Sequence, residues 1–121
     1  MLISNPTAKF GEEIASNYLI KKGYKIIERN FRKGYGEIDI ISTYQNILVF
    51  VEVKTRTTDL FGGAKESISR SKIHTLVNTA QFYKKLHPNL PESLRIDAIL
   101  INLSPGNNTE NIEHIENISG F

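Results

Sequence analysis

Apolar residues recur along the chain with two different periods. Between about residues 6 and 22, Ile14, Ala15, Tyr18 and Leu19 share one face at 100° per residue, which predicts a first helix that Gly23 stops. Glu12 falls at the edge of that face beside Leu19, and Glu13 points well away from it. Three strands come next, at about residues 24–31, 35–43 and 47–54, with Tyr44-Gln45-Asn46 as the turn between the second and third. A polar loop from about residue 55 to 66 contains Gly62 and Gly63. A second helix is predicted from about residue 67 to 86 on the stripe Ile73, Leu76, Val77, Ala80 and Tyr83, and Pro88 and Pro91 end it. Residues 94–101 read as a fourth strand. In the tail Ile112, Ile115 and Ile118 are spaced by three, and a strand there is only faintly patterned.

This order predicts an α/β fold: a mixed central sheet flanked by helices, one on each face or both on one face. A chain of 121 residues fits a single domain, with residues 104–121 as a C-terminal extension. Hydrophobic residues at 40% and charged residues at 23% argue against disorder. The absence of cysteine excludes a disulfide frame or a thiolate zinc site. No apolar run approaches the roughly 20 residues of a membrane helix. The first residues lack the basic start and apolar core of a secretory signal, so a cytoplasmic protein with no membrane partner is expected.

The chemistry sits on the second and third strands. Strand side chains alternate between faces. Ile38 and Ile40 are therefore expected on one face, and Glu37, Asp39 and Ile41 on the other. On the third strand Leu48, Phe50, Glu52 and Lys54 share a face opposite Val49, Val51 and Val53. A two-residue turn at Gln45-Asn46 sets Tyr44 opposite Ile47; counting back puts Asp39 opposite Glu52 and Glu37 opposite Lys54. Directly opposed side chains have Cβ atoms roughly 4.5–5.5 Å apart. Two carboxylates that close repel unless positive charge stands between them. Lys54 can supply some, and a hard divalent cation more. The alternative is a set of salt bridges on a solvated strand end, though Phe50 and Leu48 on the same face count against open solvent.

Gly36-Glu37-Ile38-Asp39 followed by Phe50-Val51-Glu52-Val53-Lys54-Thr55-Arg56 resembles the YraN-type family of small bacterial proteins. That family is similar to the PD-(D/E)XK nucleases, archaeal Holliday-junction resolvases among them. Gly11-Glu12, Ala15, Tyr18-Leu19, Gly23-Tyr24, Arg29-Asn30, Phe61-Gly62, Lys72, Ala80 and Arg95-Ile96-Asp97 extend the resemblance to about Leu103, and His114-Ile115 echoes it. It implies a restriction-endonuclease-like core of helix, three strands, helix and strand. It implies Mg²⁺ or Mn²⁺ as cofactor, held by Asp39, Glu52 and the backbone carbonyl of Val53. Glu12 would reach the metal from the first helix, and Lys54 would act on the attacking water and the developing charge. For Glu12 the alternative is a carboxylate favoured by the helix dipole. Glu37 is expected to pair with Lys54. The implied activity is a metal-dependent endonuclease; the rivals are a nucleic-acid-binding protein with the same fold and no cleavage, and an interaction module.

A formal net charge of +2 and a pI near 8.9 permit an anionic partner. Basic residues cluster as Lys21, Lys22, Lys25, Arg29, Arg32 and Lys33, and again as Lys54, Arg56, Lys65, Arg70 and Lys72, whereas Glu110, Glu113 and Glu116 gather near the C-terminus. Arg32, Lys33, Arg56, Lys65, Arg70 and Lys72 are the expected nucleic-acid contacts, with DNA ahead of RNA and a homodimer left open; solvated surface cations are the alternative. His74, Asn78, Gln81 and Lys85 form a stripe on the second helix that reads foremost as a solvated face. Gln81 is followed four residues later by Lys85, so the Gln-xxx-Tyr helper motif of some relatives is absent. Arg95 and Asp97 are expected to form an internal ion pair, and His114 to be structural or exposed.

Overall fold

A computed structural model describes residues 6–34, 36–57, 68–104, 106 and 108–120 of the chain. Its elements are α1 (Pro6–Lys21), β1 (Lys25–Lys33), β2 (Gly36–Tyr44), β3 (Ile47–Thr57), α2 (Arg70–Leu86), β4 (Ser93–Ser104) and β5 (Asn108–Ile115). They form the expected core of helix, three strands, helix and strand, with β5 added. The five strands lie in sequence order in one sheet. Only β3 and β4 are parallel, because the α2 crossover joins them; the other neighbours are antiparallel. The sheet is therefore mixed and restriction-endonuclease-like in its order of elements.

The hairpin between β2 and β3 turns on two residues, Gln45 and Asn46, at φ 49° and 62°. Left-handed backbone at both positions is the geometry that matches the twist of a two-residue hairpin. Tyr44 pairs with Ile47 as the alternation requires, and the register runs without a slip to Ile40 opposite Val51. β3 then carries Val49 and Val51 to one face and Leu48 and Phe50 to the other.

The two helices cover opposite faces. α1 sits on one core with Ala15 and Leu19 against Ile40, Val49, Val51, Ile99 and Ile101. α2 sits on the other with Leu76, Ala80 and Tyr83 against Ile38, Ile41, Leu48, Phe50 and Ile96. Glycine permits close approach at one point under each helix. A Cβ on Gly11 would collide with the Thr55 side chain on β3. A Cβ on Gly36 would lie 2.7 Å from Thr75 and Thr79 of α2. α2 starts on a Ser69 cap, whose hydroxyl accepts from the Lys72 N–H at 3.1 Å. The tail pairs β5 with β4, sends Ile112 to the α1 core, and returns Ile118 to the α2 core. Among the described residues no helix is long and apolar enough to cross a membrane.

Strict alternation fails at two levels: a bulge between Ile26 and Glu28 of β1 leaves Ile26 on the α1 core and Glu28 bonded to Tyr83 of α2, and a second switch lies further along β1 and β2. Ile38 and Ile40, expected on one face, lie in different cores. Asn30 on β1 adopts φ 55°, a left-handed conformation that Asn tolerates better than most residues. The pairs Arg29–Ile40 and Phe31–Ile38 flank it, so Asn30 stands across from Asp39. Arg29 and Asn30 both reach α1, at Glu13 and Glu12, while Phe31 turns to Tyr83 of α2. Asn30, with Asp39 across from it, thus marks the level at which the facing of the neighbouring residues switches.

Candidate active site

Past Ile40 and Val51 the β2–β3 ladder stops, and a side chain replaces it. The Val53 N–H donates to Oδ2 of Asp39 at 2.8 Å. The Asp39 carboxylate so fixed lies beside the Glu52 carboxyl, close enough for the two to influence each other's protonation. Glu52 is 6% exposed, seated on the α2 side of β3 beyond Phe50. Burial, then the charge of Asp39, pushes its carboxyl up to about 7, against the pull of Lys72 and Lys54. Asp39 is raised as well, chiefly by burial and then by Glu37, although the Val53 N–H holds it down. The pair is short of positive charge: two hard oxygen donors in contact, desolvated, each costly to ionise. That donor set fits a hard divalent cation.

Glu12 comes to the same place from α1. Asn30 gives its carboxylate a hydrogen bond, and its pKa is raised by burial first and by Asp39 next. Glu12 and not Glu13 faces the pair; Glu13 is exposed and bonded to Arg29 at 3.0 Å. Lys72, in the first turn of α2, reaches Glu52 at 3.6 Å. Lys54 lowers the Glu52 pKa by charge, as a lysine on the same face of β3 should. Among the described residues no group of three His, Cys, Asp or Glu is disposed to hold a metal by itself.

Glu37 does not pair with Lys54. It bonds the Nε of Arg32 at 3.0 Å across the β1–β2 ladder, where those two residues are direct partners. The pairing expected from the turn count fails there because the β2–β3 ladder has already ended.

The chain matches the uncharacterised protein family UPF0102 over residues 11–101. It belongs to the UPF0102 (YraN) family. A UPF0102 protein of Clostridium novyi (strain NT) is 40% identical over 114 residues, covering 94% of this chain and 95% of the relative. One from Caldanaerobacter subterraneus subsp. tengcongensis is 45% identical over 108 residues, covering 88% of each. Among solved structures, that of Pyrococcus furiosus SfsA in complex with Ca²⁺ is similar at a TM-score of 0.40 and 19% identity, over 87% of this chain and 60% of SfsA.

In this UPF0102 chain the expected nucleic-acid contacts divide. Arg32 and Lys33 close β1, and Arg70 and Lys72 open α2, at the end of the sheet that holds the carboxylates. Arg32 and Lys72 are engaged there by Glu37 and Glu52. Arg56 is half-buried near the end of β3, and Lys65 lies outside the described residues, as do Tyr35, Phe61, Gly62 and Gly63. The first basic cluster does not stay together: Lys25 pairs with Thr43 at the hairpin-turn end, away from Arg32.

A second polar centre lies buried under α1. Asp97, with no exposure, accepts from Arg95 at 2.9 and 3.1 Å, from the Asn117 N–H at 3.0 Å, and bonds His114 Nε2 at 2.8 Å. Arg95 also donates to the Tyr24 hydroxyl at 2.8 Å. These bonds to its charged form hold the Asp97 carboxyl below its usual range, although burial, the largest influence, acts to raise it. The Arg95–Asp97 pair was legible from their spacing; the buried place of His114 was not, because it depends on β5 lying beside β4.

Proposed function

We propose that this protein is a Mg²⁺- or Mn²⁺-dependent nuclease that hydrolyses phosphodiester bonds in DNA. The observation that carries this reading is the desolvated pair of adjacent carboxyls Asp39 and Glu52, set at a break in the sheet with Lys54 and Lys72 beside it. Asp39, Glu52 and the Val53 carbonyl would hold the cation, with Glu12 as a further donor from α1. Two carboxylates suffice for Mg²⁺, which keeps several of its waters. When bound, the cation would stabilise charge on the phosphate and lower the pKa of the attacking water. Lys54 would place its charge toward the phosphate oxygens, and Asn30 would hold Glu12 in place. Arg70, Lys33 and Arg56 would supply phosphate contacts around that end of the sheet.

A nucleic-acid-binding protein without cleavage is the second reading. It draws on Lys72, which already gives Glu52 a counter-ion without metal. Mn²⁺ titration by calorimetry, joined to a cleavage screen on linear and branched DNA, separates the two. The parent should bind Mn²⁺ and cleave, and Asp39→Asn or Glu52→Gln should nearly abolish both. Equal heats in all three proteins would remove the metal from these carboxylates; metal binding with no cleavage across the screen would favour the binder.

A further inference from the structure

A cavity of about 540 Å³ opens between the start of α1 and β1, lined by Lys9, Phe10, Glu13, Arg29 and Asn30. It is a shallow groove, open to solvent along most of its face. Phe10 is 41% exposed, whereas Ala15 and Leu19 on the sheet-facing side of the same helix are fully buried. One exposed phenylalanine is ordinary surface. What distinguishes this ring is its setting. It borders a cavity that also carries Lys9, while Arg29 and Glu13 form an ion pair at 3.0 Å, so the lining keeps one net positive charge. Asn30, which lines the cavity, also bonds Glu12 and so stands between the cavity and the carboxylate site. At 100° per residue, Glu12, Lys9, Glu13 and Phe10 succeed one another around α1.

We infer that this cavity is a binding site for an unpaired nucleobase, with Phe10 as its stacking platform and Lys9 as its phosphate contact. The inference rests on the proposed nucleic-acid function and narrows it to a substrate class: strands that present an unpaired nucleotide beside the carboxylate site. An aromatic face beside a cation suits single strands, because every base has a π-face and every nucleotide a phosphate. A base inside a duplex has both faces covered by its neighbours and cannot stack on Phe10 without leaving the helix. Glu12 and Phe10 project from nearly opposite sides of α1, whose diameter with side chains is about 10–12 Å. The stacked base therefore belongs to a neighbour of the nucleotide whose phosphate faces Asp39 and Glu52.

The chain contains no tryptophan, so Phe10→Trp installs a single reporter at the site. In EDTA, to prevent turnover, tryptophan emission is recorded on adding a short single-stranded oligonucleotide or the matching duplex, in DNA and RNA arms. Anisotropy of the labelled strand measures binding independently, and thermal melting checks each variant's fold. Single strands should quench the emission and the blunt duplex should not. Phe10→Ala should weaken single-strand binding by roughly 5- to 150-fold, the range for loss of one base–aromatic stack. It should leave the Mn²⁺ heat unchanged. Binding by anisotropy without quenching, equal quenching by duplex, or a Phe10→Ala protein with parental single-strand affinity would overturn the site while leaving the nuclease reading standing. No binding of any strand or duplex, in EDTA and again with Ca²⁺ in place of Mn²⁺, would overturn both.

Discussion

Glu52 is buried beside a second carboxyl, and this ties stability to pH in an unusual sense. Most acids in folded proteins are paired, and their ionisation stabilises the fold. Here the folded-state pKa stands above the ordinary 4.5, at about 7. The folded protein therefore holds a proton that the unfolded chain has released. The stabilisation is complete below the unfolded value and is lost as pH rises through about 7; Asp39 and Glu12, also raised, act in the same direction. For Glu52 the difference is of order 3 kcal/mol. Urea unfolding in EDTA should show stability falling between pH 5 and 8, and Glu52→Gln should flatten that fall. A parent curve that is flat, or rises, over this interval would mean that the two carboxyls do not share a proton. Metal binding has the opposite dependence and should tighten as the pair deprotonates.

At the scale of elements, the site depends on how closely α1 lies on β3. Gly11 is the point of contact, and it immediately precedes Glu12 in the chain. Gly11→Ala has no room against Thr55 and should cost roughly 1–3 kcal/mol in denaturant unfolding, as overpacking does. Because the displaced turn carries Glu12, Mn²⁺ affinity should weaken in the same variant; a Gly11→Ala protein with parental stability would show that α1 can lift without cost. The two helices and four of the strands were legible from period alone, and the hairpin register that brings Asp39 to Glu52 came from the two-residue turn. What alternation could not give was the face of Ile38, since a single left-handed residue, Asn30, and the in-plane turn of Asp39 cancel the period there. Asparagine in the middle of a strand was the available signal. Nor did spacing reveal that Lys72 reaches Glu52, because that contact depends on where a crossover helix lands on the sheet.

Across the whole molecule, the carboxylate site and the Asp97 centre divide the work. The first sits where the sheet opens; the second ties β4, the turn between α1 and β1, β5 and the tail together through Arg95, Tyr24, His114 and Asn117. Asp97→Asn removes the charge from a fully buried partner of Arg95, and losing one member of such a pair typically costs roughly 3–5 kcal/mol. The melting temperature should drop sharply, while the protein that remains folded in the cold keeps its Mn²⁺ heat. An unchanged melting temperature would reduce this network to ornament. The faint isoleucine pattern of the tail belongs to the same scale. Ile112 and Ile118 enter opposite cores, a division visible only once β5 is known to pair with β4.

The break in the β2–β3 ladder has a spectroscopic meaning. Elsewhere in a sheet an amide proton is shielded by a carbonyl, whose basicity does not change with pH in the physiological range. The Val53 amide is shielded by Asp39, a group that gains and loses a proton and stands where a cation would arrive. Its resonance and its exchange rate are therefore coupled to the charge state of the site. That single backbone proton is a reporter that the fold places beside the carboxyl pair.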